Sequence, residues 1–393
     1  VYAAFILAGG LILHGCNGIF DDLAINPNQP SMGAYFTSPS AVNDAVMTMY
    51  GYMSTQRCLG ASGSKTTIIR SDEASSNSDY GKPGMFGADL NASYYTIEQP
   101  YTLMYTTASQ ASYIIETAPS VDFSGNEELR NAYMGEAYFW RAFAHYYLLI
   151  NFRNISPIRQ MPRNGDDYVR PLEKPAAVWN FIQEDLAHAK ELLPVKGYWD
   201  SKNAGRVTKA SAAALLGKAY LYRSGIEQYY GEDKTTFYSE AAKEFGDVID
   251  GKYGTYDLTK NYADNFDVAH ENNEESILEF QFLGDVDNAG FNPGLATSGL
   301  AFDSRGLMLP GAGVGYEGVV HNWLYNAFVN SVDKDGYTDI RMFSTMIFND
   351  LDASIHLRND AGGNPVRLEG PGGYKWEELY PAKNGKEGFA TVS

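Results

Sequence analysis

The strongest constraint on this chain is a succession of apolar faces at helical spacing through its middle third. Phe139, Phe143, Tyr146, Tyr147 and Ile150 stand at i, i+4, i+7, i+8 and i+11, on one face of a helix. Val178, Ile182, Leu186, Ala189 and Leu193 repeat the pattern, with Pro175 near the start and Pro194 as a stop. Thr208 is placed to cap an Ala-rich helix over 209–223. Phe237, Ala241, Phe245, Val248 and Ile249 make a further face, closed by Gly251. Leu216-Gly217-x-x-Tyr220 followed by Ala241-x-x-x-Phe245 fits a tetratricopeptide pair, in which a small residue lets two helices approach and a large one fills the gap. Residues 185–194 read as the second helix of an earlier pair. The expected fold class is mainly α: a tetratricopeptide-like helical-repeat scaffold with long irregular loop insertions.

Two further helices are expected ahead of this array. One starts at Ser40 and carries Val42, Ala45, Val46, Met49, Tyr50 and Met53; the other runs from near Glu98 to Thr117. Residues 60–97 and 284–322 hold the long loop regions, rich in Gly, Asn, Asp and Tyr without a sustained period, apart from a helical stretch that begins at Trp323. Loops of that length in a compact protein are usually functional or disordered. The last part, 346–393, is also loop-rich and shows no closing helix with a polar face, so the natural C-terminus is expected to lie further on.

The start has its own signature. Residues 1–15, beginning with Val rather than Met, contain an uncharged apolar run of signal-peptide length, too short to span a bilayer stably. Leu13-His14-Gly15-Cys16 resembles a bacterial lipobox with an atypical His, in which Cys16 is lipidated and the preceding residues are removed. The acidic Asp21 and Asp22 that follow resemble the surface-export signal of Bacteroidetes lipoproteins. Residues 16–35, with Asn26-Pro27-Asn28-Gln29-Pro30, read as a tether.

Composition excludes several functions. With 30 Lys+Arg against 48 Asp+Glu, the net charge of −18 repels phosphate backbones and argues against nucleic acid as a partner. Two cysteines exclude a disulfide framework and a Cys-rich zinc site, and Cys58 reads as a buried apolar side chain. Glu184-Asp185 and Glu274-Glu275 are neighbours in sequence, not carboxylates opposed across a cleft. Gly313-x-Gly315-x-x-Gly318 mimics a dinucleotide fingerprint, but Pro310 precedes it and no strand–helix–strand alternation surrounds it. Asp333-x-Asp335-Gly336-x-x-Asp339 resembles part of a Ca²⁺ loop but lacks the bidentate Glu at the right offset, so a solvated turn is the better reading. No catalytic residue or cofactor is expected, with a structural Ca²⁺ at this turn as the alternative to the solvated one.

At this point a family resemblance emerges. Gly135-Glu136-Ala137-Tyr138-Phe139-Trp140-Arg141-Ala142-Phe143-Ala144-His145-Tyr146-Tyr147 resembles the "GEA-x-F-x-RAF-x-Y" helix of SusD/RagB-type lipoproteins. Gly205-Arg206-Val207-Thr208-Lys209-Ala210 is similar to their "GRVTK" block, and Asn261 to Phe266 with Asn273 to Phe280 to "NYADLF…NNEESIFE". Asp339-Ile340-Arg341 is similar to a "D-x-R" after a ring-rich helix. The match covers about residues 16–345. Phe152-Arg153-Asn154 departs from the family's usual Phe-Gly-Asp, and a late "RYADVLL" helix is missing.

The resemblance implies a non-enzymatic, lipid-anchored protein of the outer-membrane surface. Such a protein binds a glycan and acts as the lid of a SusC-like TonB-dependent transporter. The alternatives are a peptide-binding RagB-type lid and, from another class, a surface glycoside hydrolase. A sugar site needs flat rings to stack on pyranose C–H faces and planar polar groups for hydroxyls. Among loop residues, Asn77, Asp79, Tyr80, Phe86, Asn91, Arg305, Tyr316 and Trp323 are the ligand-binding candidates. Tyr80 and Tyr316 stand out because their surroundings have no apolar period, whereas Phe86 pins its loop or binds with even weight. Trp323 lies at helical spacing with Ala327, which favours core packing over binding. Glu136 and Arg141 read as scaffold.

Overall fold

The computed structural model describes residues 36–55, 58–60, 70–75, 92–161, 169–231, 233–266, 268–281, 319–347 and 391–392. Among these, helices dominate. Helix α1 spans Pro39–Ser54, with the Ser38 side chain accepting from the Ala41 N–H at 3.3 Å and Pro39 in the first turn. It buries Val42, Ala45, Val46, Met49 and Met53. Helix α2 covers Tyr95–Thr117, and so begins three residues before the expected Glu98, with Pro100 inside it. Pro100 is its sixth residue, so the N–H it lacks removes one intrahelical bond, the one that would go to the Thr96 carbonyl.

Helix α3 is Glu127–Phe152, capped by the Asn126 side chain with Glu127 and Glu128 in its positive first turn. Helix α4 is Pro175–Leu192. Helix α5 is Lys209–Tyr230, opened by Thr208 and Ser211, whose hydroxyl accepts from the Thr208 N–H at 3.1 Å, and closed by Gly231 in the left-handed conformation at φ 69°. Helix α6 is Tyr238–Ile249. Each helix from α2 to α6 packs on the next, and α1 lies against α2 and α3. The consequence for α3 is burial on more than its one predicted stripe. Phe139 and Tyr146 are buried, and so are Trp140, Ala144, Leu148 and Leu149 on other sides, because α2 and α4 cover it from two directions.

The small-to-large interlock occurs twice. A Cβ on Gly217 would stand 2.8 Å from the Phe245 ring, and one on Gly135 would stand 2.9 Å from Leu193 Cγ. In both pairs only a glycine lets the large partner seat. The predicted α6 face needs two corrections. Phe237 precedes the helix and stacks on Tyr220 at 5.5 Å, while Ile249 is 76% exposed. Ile249 follows buried Val248, and one helical step of about 100° turns it away from α5.

Beyond the array, Tyr262–Phe266 forms a 3₁₀ turn, α7 is Asn322–Asn330 and α8 is Arg341–Thr345. Strands among the described residues are two residues long: β1 (Ala74–Ser75) pairs antiparallel with β2 (Val319–Val320), and β3 (Met346–Ile347) with β4 (Thr391–Val392). No described helix is long and apolar enough to cross a membrane.

Candidate functional site

The residues of the helices that could do chemistry are engaged in holding the helices together. Glu136 of α3 is fully buried and accepts from Arg206 Nε and Nη2 at 2.8 and 3.0 Å. Arg206 also donates to Asn43 and Asn203 and lies 4.3 Å from the Trp199 ring centroid. Burial pushes the Glu136 carboxyl up to about 7, against the opposing pull of Arg206. Thus two separated sequence blocks, 135–147 and 205–210, meet in one bidentate pair, next to Gly205 at φ 80° and the Val207 N–H that donates to Tyr50 Oη at 2.8 Å.

Arg141 repeats the arrangement one turn on. It holds both oxygens of Asp185 at 2.8 Å, and donates to Ser112 Oγ and the Arg159 carbonyl. Asp185 is therefore no general acid or base for an opposed partner. His145 is also fully buried. The Ile158 N–H can only donate, so Nε2 accepts it at 2.9 Å, and Nδ1 carries the proton and donates to the Arg141 carbonyl at 2.8 Å. Burial holds the imidazole down to about 3, so it stays neutral at physiological pH. Glu275 is taken by Thr259 and Asn265. Burial pushes the Cys58 thiol up to about 12, which makes it inert.

The loop face is built differently. At its described edge, Ala74 stands opposite Val320 and Ser75 opposite Val319, the His321 N–H donates to the Glu73 carbonyl at 2.9 Å, and Trp323 Nε1 donates to the Asp72 carbonyl at 2.6 Å. The two loop regions, far apart in sequence, are thereby brought together. Trp323 is 47% exposed and α7 has no buried residue. The core-packing expectation for Trp323 is therefore overturned: the half-buried side of α7 is Leu324, Tyr325, Phe328 and Val329, while the indole stands on the exposed side, pinned by its N–H at the rim. Asn77, Asp79, Tyr80, Phe86, Asn91, Arg305 and Tyr316 lie outside the described residues, as do Cys16 and the Gly313–Gly318 run.

The Asp333 region is a turn. Asp333 Oδ1 accepts from the N–H groups of Asp335 and Tyr337, the Gly336 N–H donates to the Asp333 carbonyl, and Asp339 pairs with Arg341. Carboxylates so engaged suit the turn reading better than a Ca²⁺ loop. Among the described residues no group of three or more His, Cys, Asp and Glu side chains is arranged to hold a metal ion.

What emerges is a helical-repeat scaffold with internally satisfied charges and an aromatic loop junction at its edge. Residues 24–221, half of the chain, match the SusD-like family described as starch-binding and associating with the outer membrane, and the chain belongs to that family. It is 26% identical over 282 residues to a SusD-like protein of Bacteroides ovatus, covering 71% of this chain and 49% of that one. It is 26% identical over 289 residues to SusD-like protein P2 of Formosa agariphila, covering 72% and 53%. The chain thus spans about half the length of the curated relatives it matches. Its fold is that of a SusD superfamily protein from Bacteroides vulgatus, with TM-score 0.66, 20% identity, and 91% and 68% of the two chains covered. A protein described as a laminarin-binding SusD-like protein gives TM-score 0.63 at 23% identity over 79% and 67%.

Proposed function

We propose that the protein is a non-catalytic, surface-exposed lipoprotein that captures a glycan on its loop face and passes it to a SusC-like TonB-dependent transporter. The observation that carries this reading is Trp323, half-exposed and locked by its indole N–H at the point where the two loop regions join. A fixed, open ring beside polar loop residues is what a pyranose face needs, since stacking buries apolar C–H area while the hydroxyls find planar partners. The family's description as starch-binding and outer-membrane-associated supports it, as does a laminarin-binding relative of the same fold. On this reading Asn77, Asp79, Tyr80, Phe86, Asn91, Arg305 and Tyr316 complete the ligand face around Trp323. Residues 1–15 are a leader, Cys16 carries the lipid, and 16–35 form the tether of a domain reaching residue 345.

The test is affinity electrophoresis in gels containing starch, laminarin and other polysaccharides. Wild type is expected to be retarded by at least one, with retardation lost in Trp323→Ala and reduced in Tyr80→Ala and Tyr316→Ala. Equal retardation of wild type and all three variants contradicts the site. Cys16→Ala is expected to release the protein from membranes, and continued lipid labelling contradicts the anchor.

A further inference from the structure

A second aromatic surface lies on the helices. A groove of about 720 Å³ opens where the C-terminal ends of α3 and α5 meet the start of α6, lined by Arg70, Arg153, Tyr222, Tyr229, Tyr230 and Tyr238 among others. Its tyrosines are open to solvent, with Tyr229 at 85% and Tyr230 at 56%, whereas Phe139, Trp140 and Trp179 of the same array are buried. The volume falls in the range of small-ligand sites.

The groove is held in shape. Gly231 ends α5 directly after the Tyr229–Tyr230 pair, whose rings stand at 88° with centroids 5.3 Å apart. The Arg153 guanidinium lies 3.7 Å from the Tyr230 centroid and is itself fixed by Glu227 at 3.0 and 3.4 Å, while Glu227 also accepts from Trp179 Nε1 at 2.9 Å. Arg153 sits at φ 59°, a left-handed backbone that a non-glycine residue rarely holds without support. Glu227 balances Arg153, so the groove presents phenol rings and hydroxyls with Arg70 as the charged side chain at its edge. That chemistry fits a polar ligand with flat apolar faces, for whose hydroxyls the Arg70 guanidinium is a planar donor. Arg70 at its edge is two residues from Asp72, whose carbonyl holds Trp323, so about 7 Å of chain joins groove and loop junction.

We propose that this groove is an extension subsite, where Tyr229 and Tyr230 stack on the sugars of a glycan chain longer than the loop junction holds. The proposal rests on the glycan-binding reading above. It is tested by titration calorimetry of the full chain with intact starch and laminarin and with short oligosaccharides of each. The variants are the double substitution Tyr229→Ala with Tyr230→Ala, the double Phe variant at the same positions, and Trp323→Ala. Losing two stacking rings is expected to weaken the long chain about tenfold. The short chains should bind the double Ala variant as they bind wild type, the double Phe variant should keep long-chain affinity, and Trp323→Ala should weaken both chain lengths. A wild type that binds the polysaccharide while the double Ala variant binds it equally well overturns the extension subsite and leaves the loop site standing. Unchanged glycan affinity with lost co-purification of the transporter makes the groove a protein-docking face and also overturns it. A wild type that binds no polysaccharide overturns both readings.

Discussion

The helix array and the loop junction use the same residue types in opposite ways. Trp140 and Trp179 are fully buried between helices, whereas Trp323 stands half-exposed on a nine-residue helix with no buried residue. Arg141 and Arg206 lie inside the array with both ends of their guanidinium forks bonded, whereas Arg341 pairs with Asp339 in the open. Residue identity therefore does not separate the scaffold from the proposed ligand face. Placement does: a group with all its partners inside the protein has nothing left to offer a ligand.

The largest effect that could break this contrast is loss of one member of a buried pair. Glu136→Ala leaves Arg206 charged and buried, which is expected to cost about 3–5 kcal/mol in denaturant unfolding. A loss under about 1 kcal/mol would mean that the pair is not the clamp between the two sequence blocks. Next comes the helix interlock. Gly217→Val drives a side chain into the Phe245 ring, with an expected cost of about 1–3 kcal/mol by overpacking. Pairing it with Phe245→Leu should recover part of that loss, and strict additivity of the two would contradict direct contact.

His145 sharpens the contrast through pH. Folded His145 stays neutral down to about 3, while the unfolded imidazole takes a proton below its ordinary value near 6.5. The unfolded state therefore gains protons first, and the His145 contribution, complete above about pH 6.5, is lost as pH falls from there toward 3. Lowering the pH from about 7.5 to about 5 is expected to cost wild type about 2 kcal/mol relative to His145→Gln. Parallel pH profiles for the two proteins would show that His145 is not held neutral. The smallest stability effect belongs to the loop junction. Trp323→Ala removes one hydrogen bond and a half-exposed ring, so its unfolding free energy should stay within about 1 kcal/mol of wild type while glycan retardation disappears. A large destabilisation would make Trp323 part of the scaffold after all.

Much of the array was legible because helix packing writes itself into spacing. Most of the α3 face, the α4 face and the Thr208 cap follow from residues within a few turns of one another, and the Gly217–Phe245 interlock follows from a repeat pattern that spans one helix pair. Less was legible where distant segments decide. Glu136 and Arg206 are 70 residues apart, and no periodicity links them. The exposure of Trp323 could not be read from its spacing with Ala327, because its indole is held by the Asp72 carbonyl, 251 residues away. The tyrosine groove escaped notice for the same reason. Tyr229-Tyr230 before Gly231 marks a helix end, and only the meeting of α3, α5 and α6 turns those rings into one surface.

The central claim is that the helices carry the fold and the loop face takes the ligand. Hydrogen–deuterium exchange of the full chain, with and without the polysaccharide that retards it most strongly, tests this directly. The account predicts new protection in peptides covering residues 70–75 and 319–330, with α3 and α4 unchanged. Protection confined to 127–152 and 175–192, with none at the loop junction, would contradict it.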